Sequence, residues 1–155
     1  PPPPPPPPPI FFLTPTPQTP ILSGLVGSEM CIRDRIYIKD SGKKKFIILD
    51  AAMNDFMRPA LYGAFHRTLP VIKSNKISNK PYEFVGPICE STDKFITLKK
   101  FQKLEEKDLI AICDVGAYGM SLSSNYNLRP KPIELLIKGS KINVIRKRQK
   151  HAEII

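Results

Sequence analysis

The sequence predicts a mainly β domain, a sandwich or barrel of short strands, over residues 36–155. Short runs of β-branched and aromatic residues recur along this region, and Gly, Asn, Asp and Ser residues separate them. Apolar residues have helical spacing in one segment alone, and no internal repeat is visible. Many short strands divided by turn signals are typical of sandwiches and barrels, so we expect that architecture with only short helices.

The elements follow in order from Ile36. Asp40-Ser41-Gly42 is a hairpin-like turn signal between the first two runs. Apolar alternation from Tyr82 predicts a half-buried strand that ends at Cys89. Pro59 limits the one segment with helical spacing, Phe56–Phe65, to a short helix or a Pro-initiated turn. The other predicted strands are Ile36–Lys39, Phe46–Asp50, Leu109–Cys113, Ile133–Lys138 and Ile142–Arg146.

Residues 1–35 differ in composition from the rest of the chain. They hold twelve of the 18 prolines, and Pro1–Pro9 favours an extended polyproline II conformation. The segment Leu25–Arg35, LVGSEMCIRDR, resembles the translation of a transposon-end adapter used to prepare sequencing libraries. We therefore expect residues 1–35 to be a disordered Pro-rich stretch followed by an assembly scar, since they can bury little apolar area. A genuine low-complexity leader is the alternative.

The composition excludes several classes of protein. Residues 36–155 suffice for one domain, but a catalytic α/β barrel needs roughly 250 residues. The longest apolar stretch is far shorter than the ~20 residues that cross a bilayer. The three cysteines are scattered without a CxxC pair, and His66 and His151 are far apart, so we expect no zinc site. A reduced, cytoplasmic protein is the expectation.

The net charge of +10 raises the question of nucleic-acid binding. Most of the basic residues are lysines spread along residues 36–155. The one dense run, from Lys138 to Lys150, contains no aromatic residue on which a base could stack. Ordinary solvated faces therefore explain the charge better than a nucleic-acid interface does.

Four motifs place polar or reactive groups where a strand gives way to a turn, the usual position of site residues on a β scaffold. They are DAAMNDFMRPALY (Asp50–Tyr62), GPICESTD (Gly86–Asp93), DVGAYG (Asp114–Gly119) and SSNYN (Ser123–Asn127). Together, and in this order, they resemble the C-terminal domain of the diaminopimelate decarboxylase family, pyridoxal-phosphate enzymes of the alanine-racemase-like fold type. The resemblance runs from about Phe46 to the C-terminus.

The resemblance has implications for fold and function. It implies a C-terminal β-sandwich or barrel domain of a fold-type III decarboxylase, without the N-terminal α/β barrel. It implies a homodimer whose active site lies where two domains and two subunits meet. The implied reaction converts meso-2,6-diaminopimelate to L-lysine and carbon dioxide, the last step of lysine biosynthesis, with pyridoxal 5'-phosphate as cofactor.

Three of the implied site residues bind substrate or cofactor. Arg58 carries a planar guanidinium that can bind a carboxylate through two parallel hydrogen bonds, and by resemblance it holds a substrate carboxylate with the help of Tyr62. Tyr118, by resemblance, contacts both the cofactor and the substrate. A surface arginine and a core tyrosine with a satisfied hydroxyl are the structural alternatives for Arg58 and Tyr118.

The other implied site residues are Cys89 and Glu90. By resemblance Cys89 reaches the partner subunit's site and donates the proton that replaces the departing carboxylate, whereas its structural alternative is a small buried hydrophobe. We assign Cys113, inside an apolar run, to that alternative. Glu90 by resemblance recognises the distal amino group of the substrate. Three further residues in the motifs are assigned structural support: Asp55, Asn125 and Tyr126.

Other readings of the sequence stay open. The family's lysine that forms a Schiff base with the cofactor, and its phosphate loop, lie on the barrel, so we expect this chain to be inactive alone. A decarboxylase of the same fold type that acts on another basic amino acid or on carboxynorspermidine is the nearest rival, although Glu90 argues against the ornithine branch, which has Asp after Cys. A non-catalytic β-domain binding module, with the Pro-rich leader as ligand, is the rival from another class, and a basic nucleic-acid binder is third.

Overall fold

The structure, a computed structural model, describes residues 22–23 and 30–155, with side chains from Tyr37 onward apart from Ala117. Strands dominate this part of the chain, and the helices in it are short, which confirms the predicted mainly β fold. The strands are β1 (Leu22–Ser23), β2 (Met30–Asp40), β3 (Lys45–Leu49), β4 (Thr68–Pro70), β5 (Tyr82–Val85), β6 (Lys94–Leu98), β7 (Leu109–Cys113), β8 (Glu134–Lys138) and β9 (Lys141–Arg146). The α-helices are α1 (Arg58–Tyr62) and α2 (Ala117–Ser121), and Tyr126–Leu128 and His151–Glu153 form 3-10 turns.

The strands are hydrogen-bonded in the order β6-β5-β3-β2-β1-β8-β9, and β7 pairs with both β2 and β4. Most pairings are antiparallel, but β3 pairs parallel with β5, and β1 with β8. Within the described residues no helix is long and apolar enough to cross a membrane.

Strand β2 pairs with three other strands along its length, since Met30 and Cys31 also pair antiparallel with β1. Its first half pairs antiparallel with β7 from Met30 to Asp34, and its second half pairs antiparallel with β3 up to Asp40. The boundary that we predicted between residues 35 and 36 therefore lies within β2, and the division of the chain at that point stays a prediction. Main-chain hydrogen bonds make these pairs and require no particular side chain. The rest of the predicted disordered stretch, apart from β1, lies outside the described residues.

The core lies between β7 and the group of strands β3, β5 and β6. It consists of buried apolar side chains from all four strands together with Ala51, Phe56, Leu104 and Val115. The aromatic rings of Tyr82, Phe84 and Phe101 meet edge to face or tilted, with centroids 5.3–6.2 Å apart. The Tyr82 hydroxyl accepts a hydrogen bond from the Leu104 amide at 3.2 Å, so this buried phenol is satisfied.

The local patterns predicted β3, β7, β8 and β9 within a residue, whereas β1, β4 and β6 were not predicted, β2 begins earlier and β5 ends earlier than predicted. Strand β5 ends at Val85 and not at Cys89, because residues 86–92 turn around the buried side chain of Asp93. Strand β6 was not predicted, although its buried Phe95 lies between the exposed Lys94 and the half-buried Ile96. Strand β4 is only three residues long and ends at Pro70, so its sequence carries no strand pattern.

The buried carboxylate of Glu83 in β5 bonds the ammonium groups of Lys44 and Lys94. Burial by itself would raise the pKa of Glu83, but the hydrogen bonds and charges of the two lysines outweigh it and lower the pKa below the ordinary 4.5. Ionised Glu83 therefore stabilises the fold above about pH 4.5, and this contribution is lost as the pH falls through the lower pKa of the folded state.

We expect Glu83→Gln to lower the free energy of unfolding by about 1 kcal/mol at neutral pH. The difference from the unchanged chain should shrink as the pH falls well below 4.5, because Glu83 is then neutral in both folded and unfolded states. Urea unfolding followed by circular dichroism at about pH 7 and about pH 3 measures both values. A difference that stays constant with pH would contradict the role of the ion pairs.

Candidate functional site

The segment Asp50–Tyr62 follows β3 and links to the SSNYN motif. Its turn closes on itself: the Ala52 amide donates to Asp55 Oδ2 at 3.0 Å. Asn54 is fully buried, its carbonyl accepts from the Ser124 amide at 2.9 Å, and its Nδ2 donates to the Ser124 carbonyl at 3.3 Å. Two stretches seventy residues apart are thus held side by side. Asp55 has the supporting role that the sequence indicated.

The same segment is tied to the GPICESTD motif by Asp93, which is only 3% exposed. Its Oδ1 accepts from the Met53 amide and its Oδ2 from the Ile88 amide, both at 2.7 Å. Burial raises the pKa of Asp93, and these two hydrogen bonds partly oppose the shift. Gly86 is required beside it, because a Cβ at that position would lie 2.3 Å from Oδ2. The carboxylate therefore shapes the turn that carries Cys89 and Glu90.

Helix α1 presents Arg58 and Tyr62 at its two ends. It is a single turn with Pro59 in its first turn, and Gly63 ends it in the left-handed region at φ 62°. Arg58 is half-buried, and its guanidinium carbon lies 5.9 Å from the centroid of the Tyr118 ring. Tyr62 is exposed. The structure thus brings Arg58 and Tyr118 together, although sixty residues separate them in the chain.

Tyr118 lies on α2, directly after the turn that follows β7. Gly119 allows this helix to pack closely, since a Cβ there would lie 2.2 Å from the Cγ1 atom of Val115. The Tyr118 side chain is 65% exposed, so it is not a core aromatic and its ring is free to meet a ligand or another surface.

A buried histidine, His66, to which the sequence analysis gave no role in the site, lies against Phe56. The His66 ring meets Phe56 edge-on at 4.6 Å, and its Nδ1 lies 3.2 Å from the Cys113 carbonyl oxygen. Burial lowers the pKa of His66, and the charge of Arg58 adds to the effect. Next to it, Arg67 donates to both carboxylate oxygens of Asp114 at 2.8 and 3.0 Å. These contacts fix the start of the DVGAYG motif, and no local sequence pattern signals them.

Cys89 and Glu90 lie on the exposed turn after β5. Cys89 is a free, exposed thiol, so the buried alternative does not apply to it, whereas Cys113 is buried in β7 as we predicted. The Glu90 carboxylate accepts a hydrogen bond from the hydroxyl of Tyr126, so the GPICESTD and SSNYN motifs also touch directly. A turn of this kind can offer a proton donor and an anion side by side to a neighbouring surface.

A shallow groove of about 290 Å³ lies between α1 and the same turn. Its lining is mostly small or apolar and includes none of the five predicted site residues. The lining residues are Pro59, Ala60, Gly63, Ala64, Ser91, Thr92, Lys94 and Phe95. Four of the predicted residues are exposed and Arg58 is half-buried. Among residues 22–23 and 30–155 no group of three His, Cys, Asp or Glu side chains could hold a metal.

Comparison with known proteins identifies the domain type. Residues 32–116 match the family model described as pyridoxal-dependent decarboxylase, C-terminal sheet domain. The chain is 47% identical over 114 residues to a diaminopimelate decarboxylase of Helicobacter pylori, and 39% identical over 145 residues to one of Archaeoglobus fulgidus. These alignments cover 74 and 92% of this chain, but only 28 and 35% of the two relatives.

A solved structure agrees with the sequence matches. The crystal structure of the Helicobacter pylori diaminopimelate decarboxylase complexed with L-lysine superposes with a TM-score of 0.74 at 45% identity. The superposition covers 81% of this chain and 30% of that protein. The chain therefore has the fold of one domain of a protein about three times the length of the matched region.

Proposed function

Since the chain belongs to the pyridoxal-dependent decarboxylase family as its C-terminal sheet domain, we propose that it is the sheet domain of a diaminopimelate decarboxylase. The reaction of the whole enzyme is then the conversion of meso-2,6-diaminopimelate to L-lysine and carbon dioxide, in lysine biosynthesis. The identity to diaminopimelate decarboxylases of two distant organisms supports this substrate over others of the same fold type. The sheet domain alone is inactive, because the lysine that binds the cofactor belongs to the barrel.

The observation that carries the proposal is the meeting of the four motifs. Asp50–Tyr62 is bonded to GPICESTD through Asp93 and to SSNYN through Asn54, and Arg58 places it against Tyr118. These contacts hold the half-buried guanidinium of Arg58 and the exposed side chains of Cys89, Glu90 and Tyr118 on the turns that the four motifs form. Each of these side chains can serve amino-acid decarboxylation. The guanidinium can bind a carboxylate and the glutamate an ammonium, while the thiol can donate a proton and the phenol can contact the cofactor.

The residues present fit one side of a pyridoxal-phosphate site. When bound, this cofactor supplies an electron-accepting ring that stabilises the charge left behind as carbon dioxide departs. The exposed phenol of Tyr118, beside the Arg58 guanidinium, offers a hydrogen-bond donor and a positive field to an anionic aromatic group. Tyr118 would therefore contact the bound cofactor and the substrate, and the close packing of α2 on Val115 positions the helix that carries it.

Arg58, Tyr62, Glu90 and Cys89 act on the substrate. The planar guanidinium of Arg58 binds the carboxylate that the product keeps, and the Tyr62 hydroxyl assists. Glu90 binds the distal ammonium. Both groups hold the substrate so that the carboxylate to be lost is oriented correctly. The Cys89 thiol gives its proton to the carbon from which carbon dioxide has left.

We further propose that the whole enzyme is a homodimer, with Cys89 and Glu90 serving the partner's site. Exposed apolar and aromatic side chains next to the site support a large interface: Leu61, Tyr62, Phe65 and Leu128. A two-fold interface presents the same surface from both subunits, so a site completed in trans is formed twice. The cytoplasmic location stays a prediction from the cysteine usage.

The test of the proposed function is a substrate comparison with the full-length product of the native gene. We expect cofactor-dependent release of carbon dioxide from meso-diaminopimelate, with L-lysine as the other product. Ornithine and carboxynorspermidine, offered at equal concentration, should react far more slowly. Faster release of carbon dioxide from either of these two compounds would overturn the proposed substrate, while the assignment to the decarboxylase family would still hold.

Arg58→Lys in the full-length enzyme should raise the KM for diaminopimelate about tenfold, with a smaller change in kcat. Lysine keeps the positive charge but cannot form the two parallel hydrogen bonds of a guanidinium. Steady-state kinetics measure both constants. Arg146→Lys, on the exposed strand β9 beside Glu134, is the matched control and should leave both unchanged. Equal kinetics of the two variants would remove Arg58 from substrate binding.

A further inference from the structure

The carboxylate of Glu90 is held by two hydroxyl groups before any ligand is present. The Tyr126 hydroxyl donates to Oε1, and the Thr92 hydroxyl lies 3.4 Å from Oε2. Glu90 is itself exposed, and an exposed glutamate ordinarily samples several rotamers. Each of its two oxygens here has a partner from the protein, so the carboxylate has a defined orientation.

Tyr126 is in turn anchored to the interior. It begins a 3-10 turn, and its amide lies 3.4 Å from the Ser124 hydroxyl. Ser124 is bonded through its main chain to the fully buried Asn54. Asn125 adds hydrogen bonds from Nδ2 to the Arg129 carbonyl at 2.9 Å and to the side chain of Gln149 at 2.6 Å. The backbone that carries the Tyr126 phenol is therefore held in place by hydrogen bonds. Because the phenol donates to Glu90, the Glu90 carboxylate is held in place as well.

The protonation state of Tyr126 suits a phenol that donates a hydrogen bond to the Glu90 carboxylate. The hydrogen bond to Glu90, and next its negative charge, raise the pKa of Tyr126 above its ordinary 10.0, so the phenol keeps its proton at neutral pH. A neutral phenol that donates to one oxygen leaves the full negative charge on the carboxylate. Each carboxylate oxygen can accept more than one hydrogen bond, so Glu90 can still bind a cation.

We propose that Tyr126 is a positioning residue that orients Glu90 for the side-chain ammonium of the substrate, with Thr92 as its assistant. This inference rests on the proposed function, in which Glu90 binds that ammonium. A carboxylate already ordered loses less conformational freedom when the ammonium binds, so the interaction is stronger. Tyr126 thereby sets how strongly the enzyme prefers a diamino acid over an acid that lacks the second amino group.

The test compares two substrates in the full-length enzyme: meso-diaminopimelate, and 2-aminopimelate, in which a hydrogen replaces the distal ammonium. Tyr126→Phe removes only the hydroxyl, and we expect kcat/KM for the diamino substrate to fall about tenfold while that for 2-aminopimelate hardly changes. Glu90→Gln should reduce the preference further, and Thr92→Val less. Tyr37→Phe, which removes an exposed phenol hydroxyl on β2, is the matched control and should leave both substrates unaffected.

The outcomes separate this inference from the proposed function. An equal fall for both substrates in Tyr126→Phe would mean a general structural role and overturn the inference. If Glu90→Gln alters the preference and Tyr126→Phe does not, the inference fails and the role of Glu90 stands. An unaltered preference in Glu90→Gln would remove Glu90 from ammonium recognition and the inference with it. An unchanged enzyme that releases no carbon dioxide from diaminopimelate would instead overturn the proposed function.

The hydrogen bond has a readout that needs no activity. In the 155-residue chain with 13C-labelled tyrosine rings, the signal lost in Tyr126→Phe identifies Tyr126. Its pKa, followed by NMR, should fall in Glu90→Gln towards that of an ordinary tyrosine, because the stabilising carboxylate is gone. A pKa that does not respond to Glu90→Gln would contradict the contact and overturn the inference whatever the kinetics.

Discussion

Replacing Cys89 by alanine in the full-length enzyme should reduce kcat by about 10²–10⁴-fold, the usual contribution of a positioned proton donor. Cys89 is exposed on a turn and packs in no core cluster, so its loss should leave the fold intact. The absorbance of the bound cofactor should therefore persist while turnover falls. Single-turnover measurements of lysine formation, together with the cofactor spectrum, check both parts.

The chain offers a matched control for that experiment. Cys113 is equally a free thiol, but it is buried in β7 among apolar side chains, and burial raises its pKa. Cys113→Ala should cost some stability through a small cavity and leave kcat close to that of the unchanged enzyme. If Cys89→Ala turns over at the unchanged rate, Cys89 is not the proton donor. A loss of cofactor absorbance in that variant would point to a defect in folding instead.

Asp93→Ala should lower the free energy of unfolding by about 2–5 kcal/mol, the largest effect on stability that we expect from a polar substitution in this domain. The carboxylate accepts from two backbone amides, those of Met53 and Ile88, and its loss leaves both without a partner in a nearly dry place. Guanidinium unfolding followed by circular dichroism measures the change.

Two further variants serve as comparisons for Asp93→Ala. In Asp93→Asn one side-chain oxygen can still accept a hydrogen bond, while the new amide group faces a backbone donor, so we expect a smaller loss. Asp40→Ala removes an exposed carboxylate that bonds Lys80 and the Gly42 amide, and it should destabilise the fold far less than Asp93→Ala does. If Asp93→Ala were no more damaging than Asp40→Ala, Asp93 would not organise the turn.

Local sequence patterns predicted the elements whose residues carry their own signal. Leu109–Cys113 is a strand because its apolar run is bounded by turns, and α1 is short because Pro59 and Gly63 delimit it. The end of β5 could not be predicted in this way. It depends on Asp93, eight residues further along, whose buried carboxylate draws the Ile88 amide into a turn.

The candidate site was predicted from the order of four motifs, and the structure adds the contacts among them. Arg58 and Tyr118, or Glu90 and Tyr126, are distant in sequence, so their meeting follows from the fold and from no local pattern. The sequence indicated only structural support for Tyr126, because a tyrosine in a polar turn carries no sign of its partner. His66 was missed for the same reason.

The pairing of β2 with both β7 and β3 has a consequence for any version of the chain that is shortened at its N-terminus. If a shortened version began at Ile36, the residues that now pair with β7 from Met30 to Asp34 would be gone. Strand β7 would keep β4 on one side and expose a row of unpaired amides and carbonyls on the other, along the apolar run Leu109–Cys113. Such an edge invites pairing with a second molecule, so that version should self-associate and precipitate more readily than the 155-residue chain.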